Sequence, residues 1–247
     1  MPRIMTLNIH GFNDCYGPWE QRRELIRAVI REARPDVVAM QAVEREAGGE
    51  ARDQAWQLCH ASPGLIYSVF QPAKTLDDGF AAGLAFLSRT RPDVLETVGL
   101  QRLEQAGEPT ERIFVHGRFD FAGWPLNVVN AYVSWIEAQA LQNVDEIIGY
   151  LGRYAEEPCL LVGDFNNSAE ALPMQTIKTA GFHDLWAELH PAEPGFTFFE
   201  DGGKRIDYVW ANRFALERVM AMELVANCDD PEGLRPSNHL GLLVTLA

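Results

Sequence analysis

The run Leu160-Leu161-Val162-Gly163-Asp164-Phe165-Asn166 constrains this chain more than any other stretch. An apolar segment beginning at Cys159, preceded by Pro158 and closed by Gly163, has the length and the edges of a buried strand. Directly beyond it Asp164 and Asn166 stand two residues apart, so in extended geometry both side chains project to one side. A carboxylate acceptor and an amide that both donates and accepts then face one small volume. An isolated G-D-x-N also occurs as a plain strand-to-loop turn in which both side chains bond nearby backbone, so its meaning depends on the other segments.

Those segments are mostly strands. Residues Arg3 to Ile9 and Val37 to Val43 read as buried strands. Between them Leu25, Ile26, Val29 and Ile30 mark one face of a helix from Trp19 to Ala33 that Pro35 stops. Arg22, Arg23, Arg27 and Arg31 on that helix read as a solvated face. The polar stretch from Glu44 to Asp53 reads as a connection, followed by a short helix over Ala51 to Ala61. Strand patterns recur at Tyr67 to Gln71, Ala82 to Ser88, Val94 to Leu103, Arg112 to Phe121 and Leu126 to Val133, with a turn at Ala122-Gly123. Their density, with no long helices between them, predicts mainly antiparallel neighbours.

A long helix from Glu137 to Tyr154, with Leu141, Val144, Ile148 and Leu151 on one side, delivers the chain to the strand at Cys159. Beyond Asn166 the pattern predicts helices over Leu172 to Ala180 and Asp184 to His190, then a hairpin of Phe196 to Phe199 with Arg205 to Ala211. Strands over Leu216 to Val225 and Leu240 to Leu246 complete the pattern. No repeat, low-complexity tract or linker divides the 247 residues, which read as a single domain, 1–247.

Composition narrows the functional classes. Hydrophobic residues make up 47% and charged residues 23%, as in an ordinary soluble domain; no apolar run approaches a membrane span and no signal-peptide profile opens the chain, so a cytoplasmic protein without a membrane partner is expected. Cys15, Cys59, Cys159 and Cys228 form no C-x-x-C pair and read as buried free thiols. A net charge of -14 argues against extended non-specific contact with a nucleic-acid backbone, although a metal or a few arginines can still gather phosphate locally. Oligomeric state is not written in the pattern.

Five separated pieces stand in one order: Thr6-Leu7-Asn8-Ile9-His10-Gly11, Val38-Ala39-Met40-Gln41-Ala42-Val43, Asn130-Ala131-Tyr132-Val133, Gly163-Asp164-Phe165-Asn166, and Arg205-Ile206-Asp207-Tyr208 with Ser237-Asn238-His239 after it. In that order and spacing the chain resembles the endonuclease/exonuclease/phosphatase superfamily, which includes apurinic endonucleases, pancreatic deoxyribonuclease, inositol-polyphosphate phosphatases and neutral sphingomyelinases. The resemblance implies an α/β four-layer sandwich: two mixed, largely antiparallel sheets face to face with helices outside. It implies a phosphodiester or phosphomonoester as substrate, small molecule or nucleic acid, and Mg2+ or Mn2+ as cofactor. By motif, Asp164 resembles the water-activating carboxylate, Asn166 its orienting amide, and Asn8 the residue that holds that carboxylate or phosphate in place. Asp207 resembles the carboxylate that bonds the histidine, and His239 the histidine that donates to phosphate. Tyr132 matches the apurinic-endonuclease form of its motif. His10, Arg205, Trp135 and Phe198 are the candidates for contacting substrate, the two aromatics by stacking.

Two departures bear on the metal. Where the superfamily carries a metal-binding Glu this chain has Ala42, and where it has Asp before the last His this chain has Asn238. A hard dication prefers oxygen ligands and usually at least one carboxylate, so the loss of two charges weakens the site; His10, where apurinic endonucleases have Asp, is a poor magnesium ligand. Three explanations stand. The changes were engineered to trap a ligand; the chain is a natural binder that has lost hydrolysis; or Glu44, two residues beyond Ala42, supplies the missing ligand if the strand extends that far. Loss of the ligand, engineered or natural, ranks above its displacement to Glu44. The expected function is therefore a divalent-metal-dependent phosphoesterase impaired by Ala42 and Asn238, with a non-catalytic binder of phosphorylated or other polar ligands as the alternative.

Overall fold

The computed structural model describes residues 1–48, 52–59, 64–227 and 233–247. In chain order the first strands are β1 (Arg3–Asn8), β2 (Val37–Arg45), β3 (Tyr67–Thr75), β4 (Ala81–Ser88), β5 (Val94–Gly99) and β6 (Ile113–Phe121). Then come β7 (Trp124–Tyr132), β8 (Cys159–Asp164), β9 (Phe182–Asp184), β10 (Asp207–Asn212), β11 (Val219–Val225) and β12 (Gly241–Leu246). The α-helices are α1 (Trp19–Ala33), α2 (Gln54–Cys59), α3 (Glu137–Leu151), α4 (Leu172–Thr179), α5 (Leu185–Leu189) and α6 (Arg213–Leu216).

Two crossovers shape the molecule. Helix α1 carries β1 to a parallel partner β2, and α3 carries β7 to a parallel partner β8; the other ladders are antiparallel. The result is two six-stranded sheets, ordered β11-β12-β1-β2-β4-β3 and β5-β6-β7-β8-β10-β9. Alternation along the strands then decides which sheet face each side chain serves. Ile4, Val37, Ala39, Leu126, Val128, Leu160, Val162 and Val209 fill the space between the sheets. Their neighbours Met5, Leu7, Val38 and Met40 pack under α1 and α2, and Val129, Leu161 and Trp210 under α3 and α4. The four expected layers are helix, sheet, sheet, helix.

Several elements differ from the sequence expectation. Strand β2 runs on through Glu44 and Arg45, and its register against β4 shifts between Met40 and Val43, where Ala42 has φ 51°. This bulge interrupts the alternation that linked Glu44 to Ala42. Helix α3 buries Ala140, Val144, Ile147 and Leu151 and leaves Leu141 and Ile148 partly exposed, a face rotated from the expected one. The anticipated hairpin of residues 196–211 is reduced to an isolated bridge between Phe198 and Lys204, because β10 pairs with β8 and β9 instead. The Ala51 and Ala61 ends of the expected short helix, and Cys228, lie outside the described residues; Cys59 and Cys159 are buried free thiols, and Cys15 is an exposed one.

Arg22 is the plainest correction on α1. Far from being solvated, it is fully buried and donates to the carbonyls of Gly17, Ile9, Pro236 and Gly11. Its fork ties together the segments that follow β1 and precede β12, and those segments carry His10 and His239.

Candidate active site

The chain ends of both sheets converge at one edge of the sandwich. The parallel strands β1 and β8 deliver Asn8 and Asp164 at their C-terminal ends, while β10, antiparallel to β8, starts there with Asp207 directly opposite Asp164. By alternation Asn8 follows Ile4, Asp164 follows Val162, and Asp207 precedes Val209, so all three face the space between the sheets. Tyr132 reaches the same edge on β7, in register with Asp164.

Within that space the polar groups are close. Asn8 Nδ2 donates to Asp164 Oδ2 at 2.8 Å, and the Asn166 backbone N–H donates to Asp164 Oδ1 at 2.9 Å. His239 Nδ1 donates to Asp207 Oδ2 at 2.8 Å, and its Nε2 lies 3.9 Å from Asp164 Oδ2. Asp164, Asp207 and His239 each offer an atom within 4.8 Å of the others, and all three are buried. The Thr197 hydroxyl accepts from the backbone of Ile206 and Asp207, and the Ser237 hydroxyl donates to Asn8 O, so the strand ends are themselves pinned.

Charges respond to this confinement. Burial, then the Asp207 charge, pushes the Asp164 carboxyl up to about 6, against the opposing pull of His239 and Asn8. Burial alone would lower His239, but the charge and hydrogen bond of Asp207, then the charge of Asp164, raise it to about 9. At neutral pH the imidazole is a cation with one N–H on Asp207 and the other facing Asp164. Tyr132 is raised by burial and the Asp164 charge, while Arg112 and Asn8 pull it down. Its phenol therefore belongs to the same cluster, with Arg112 on its flank.

The other expected residues divide. Asn166 has φ 53° and donates through Nδ2 to Val133 O, which turns the chain out of β8. His10, also at positive φ (61°), lies edge-on to Tyr16 at 6.0 Å, and burial lowers its pKa. Phe198 lies 5.0 Å from His239, ring to ring, and forms one wall of the site. Trp135 is exposed at the rim. Arg205 is held by Asp184, with Nη1 2.9 and 2.7 Å from the two carboxylate oxygens, and stacks on Tyr208 rather than entering the cluster.

The metal positions are poor in donors. Asn238 is buried, with Nδ2 on Glu200 Oε1 at 3.4 Å, and Ala42 offers no ligand atom. Glu44 is partly buried, not a free loop charge, yet its carboxylate accepts the Phe12 N–H at 2.7 Å and packs against Gly11; it is outside the Asp164, Asp207 and His239 group. Within that group His239 Nδ1 is bonded to Asp207 Oδ2 and both Asp164 oxygens are bonded, which leaves Asp207 Oδ1 as a buried oxygen without a partner among the described residues. One open carboxylate oxygen does not make the oxygen cage that Mg2+ or Mn2+ requires. As the sequence stands, the residues do not fit a tightly held dication.

A buried link that the motifs did not announce lies beneath the site. Gln41 Nε2 donates to Asn130 Oδ1 at 2.7 Å and to Thr6 Oγ1 at 3.0 Å, and Asn130 Nδ2 donates to Met40 O and Ala85 O. It stitches one sheet to the other. Both residues stand inside quoted motifs, but their pairing depends on two strands in facing sheets.

Comparison with known proteins agrees with the geometry. Residues 5–239 match the model of the Endonuclease/Exonuclease/phosphatase family. An endonuclease/exonuclease/phosphatase family protein from Leptotrichia buccalis superposes with a TM-score of 0.82 at 18% identity, covering 100% of both chains. A mannosyl-6-phosphatase from Bacteroides thetaiotaomicron gives 0.75 at 18% identity, again over 100% of both chains. An AP endonuclease from Archaeoglobus fulgidus gives 0.70 at 20% identity, over 100% of this chain and 99% of that one. No curated protein sequence matches the chain. Among the described residues no helix is long and apolar enough to cross a membrane. The chain belongs to the endonuclease/exonuclease/phosphatase family, a group of generally hydrolytic, metal-dependent phosphoesterases.

Proposed function

We propose that this site binds a phosphate ester and belongs to a phosphoesterase whose turnover Ala42 and Asn238 have slowed or silenced. The observation that carries the reading is the buried His239 imidazole, bonded to Asp207 at 2.8 Å and 3.9 Å from Asp164, where the ends of the two sheets meet. Its Nε2–H is placed to donate to a phosphoryl oxygen, and Asp207 fixes the ring for that task. Asp164, with a carboxyl near 6, is ionised at neutral pH yet basic enough to take a proton from an attacking water. Asn8 and the Asn166 backbone hold that carboxylate in position, and the Tyr132 phenol offers one further donor. A phosphomonoester or a single phosphodiester suits this acidic chain better than a long duplex.

The test is restoration. In A42E/N238D, with Mg2+ or Mn2+ present, hydrolysis of a generic phosphodiester and phosphomonoester panel should rise by about 100-fold or more, the scale of several kcal/mol of charge stabilisation. A second reading, a binder without turnover, is favoured by the same two positions. Phosphate binding with no metal-dependent hydrolysis in A42E/N238D would select it.

A further inference from the structure

Arg112 precedes β6, and its guanidinium carbon lies 4.4 Å from the Tyr132 ring centroid and 4.9 Å from that of Trp135. It is 5% exposed, and Nε, Nη1 and Nη2 have no hydrogen-bond partner among the described residues. Glu108, 4% exposed, approaches Nε at 3.7 Å, too far for a hydrogen bond, and accepts the Ser134 hydroxyl through the same oxygen. Burying a fork of five N–H donors between the Tyr132 and Trp135 rings, with its nearest carboxylate 3.7 Å away, is costly, so such groups in folded proteins normally have an acceptor to meet. The direction in which Arg112 can find one is set by Tyr132. Tyr132 ends β7 in register with Asp164, and the guanidinium lies over its ring, so Arg112 flanks the site across that single ring.

Trp135 covers the other side. Its indole is 52% exposed, while the backbone on both sides is tied: Ser134 N–H reaches Asn143 Oδ1, and Ile136 N–H donates to Ser134 Oγ at 3.0 Å.

We propose that Arg112 is a substrate-binding residue that takes an oxyanion of the phosphate ester, and that the Trp135 indole is its cover, turning aside as the anion arrives. This rests on the phosphate-ester reading of the site and adds to it. Where Ala42 and Asn238 remove the carboxylates that would gather a cation, Arg112 supplies positive charge directly. A planar fork matches two oxygens of a tetrahedral anion in a way a lysine point charge does not.

Inorganic phosphate is the probe, titrated into the metal-free full-length protein in a chelator by calorimetry and by tryptophan emission. Wild type should bind phosphate, and R112M should bind about 10-fold more weakly or worse, the effect of a charge-assisted hydrogen bond. R112K should fall between them. W135F should bind phosphate while losing the emission change seen in wild type. R112M takes the cation from the buried Arg112–Glu108 pair, leaves Glu108 without it and should melt below wild type; should it fail to fold, R112K and W135F carry the test. Equal phosphate affinity in wild type and R112K, an emission change that survives in W135F, or no phosphate binding by wild type overturns the inference. Hydrolysis by A42E/N238D alongside Arg112-independent phosphate binding sinks this inference alone. Arg112-dependent binding without hydrolysis sinks the hydrolytic reading alone.

Discussion

His239 carries the charge on which the site turns. Its folded pKa of about 9 lies above the 6.5 of a free imidazole, so protonation favours the folded state. The stabilisation is fully present below pH 6.5 and is lost as pH rises through about 9. The melting-temperature gap between wild type and His239→Gln should be widest near pH 6 and shrink towards pH 9.5; a gap that grows with pH would show that the imidazole is neutral in the folded protein. The convergence of Asp164, Asn166, Asp207 and His239 was legible because each ends, opens or borders a strand within a short motif. Arg112 and Glu108 were not, since Glu-Pro-Thr-Glu-Arg reads as surface charge until Tyr132 and Ser134 are brought beside it.

Among the elements, β8 is held to β7 by an approach that only glycine permits. Gly163 has φ 135°, and a Cβ there would fall on the backbone of Ala131, chiefly its carbonyl oxygen. Gly163→Ala should cost about 3 kcal/mol or more in urea unfolding, whereas Gly149→Ala, on open helix surface, should be neutral or stabilise by up to about 1 kcal/mol. Similar losses at both positions would mean that β7 and β8 are not so close. Helix α1 and the buried strands β1, β2, β4, β6 and β12 were readable from apolar period alone, because tertiary packing reinforces their local preference. The three-residue β9 was missed, since His183 and Asp184 give no strand signal apart from the β10 edge that they pair with. The bulge at Ala42 was equally hidden, because a bulge answers to its partner strand, here β4.

At the scale of the molecule, the two sheets form one machine only while their faces stay aligned. Asn130 accepts from Gln41 and donates to Met40 O and Ala85 O, bonds that run from the second sheet to β2 and β4 of the first. Asn130→Ala leaves those groups buried and unpaired and should cost about 3 kcal/mol or more in urea unfolding; a loss below about 0.5 kcal/mol would remove this stitch as a significant contributor.

The seam has a consequence for how the protein fails. Asn8 and Asp164 come from different sheets, and His239, on the segment that leads into β12 of the first sheet, meets Asp207 of the second; their bonds at 2.8 Å tolerate little slippage. Under mild heat or denaturant, ligand affinity should fade while each sheet still keeps its ladders, so lost binding becomes an early gauge of misalignment, ahead of any change in secondary structure.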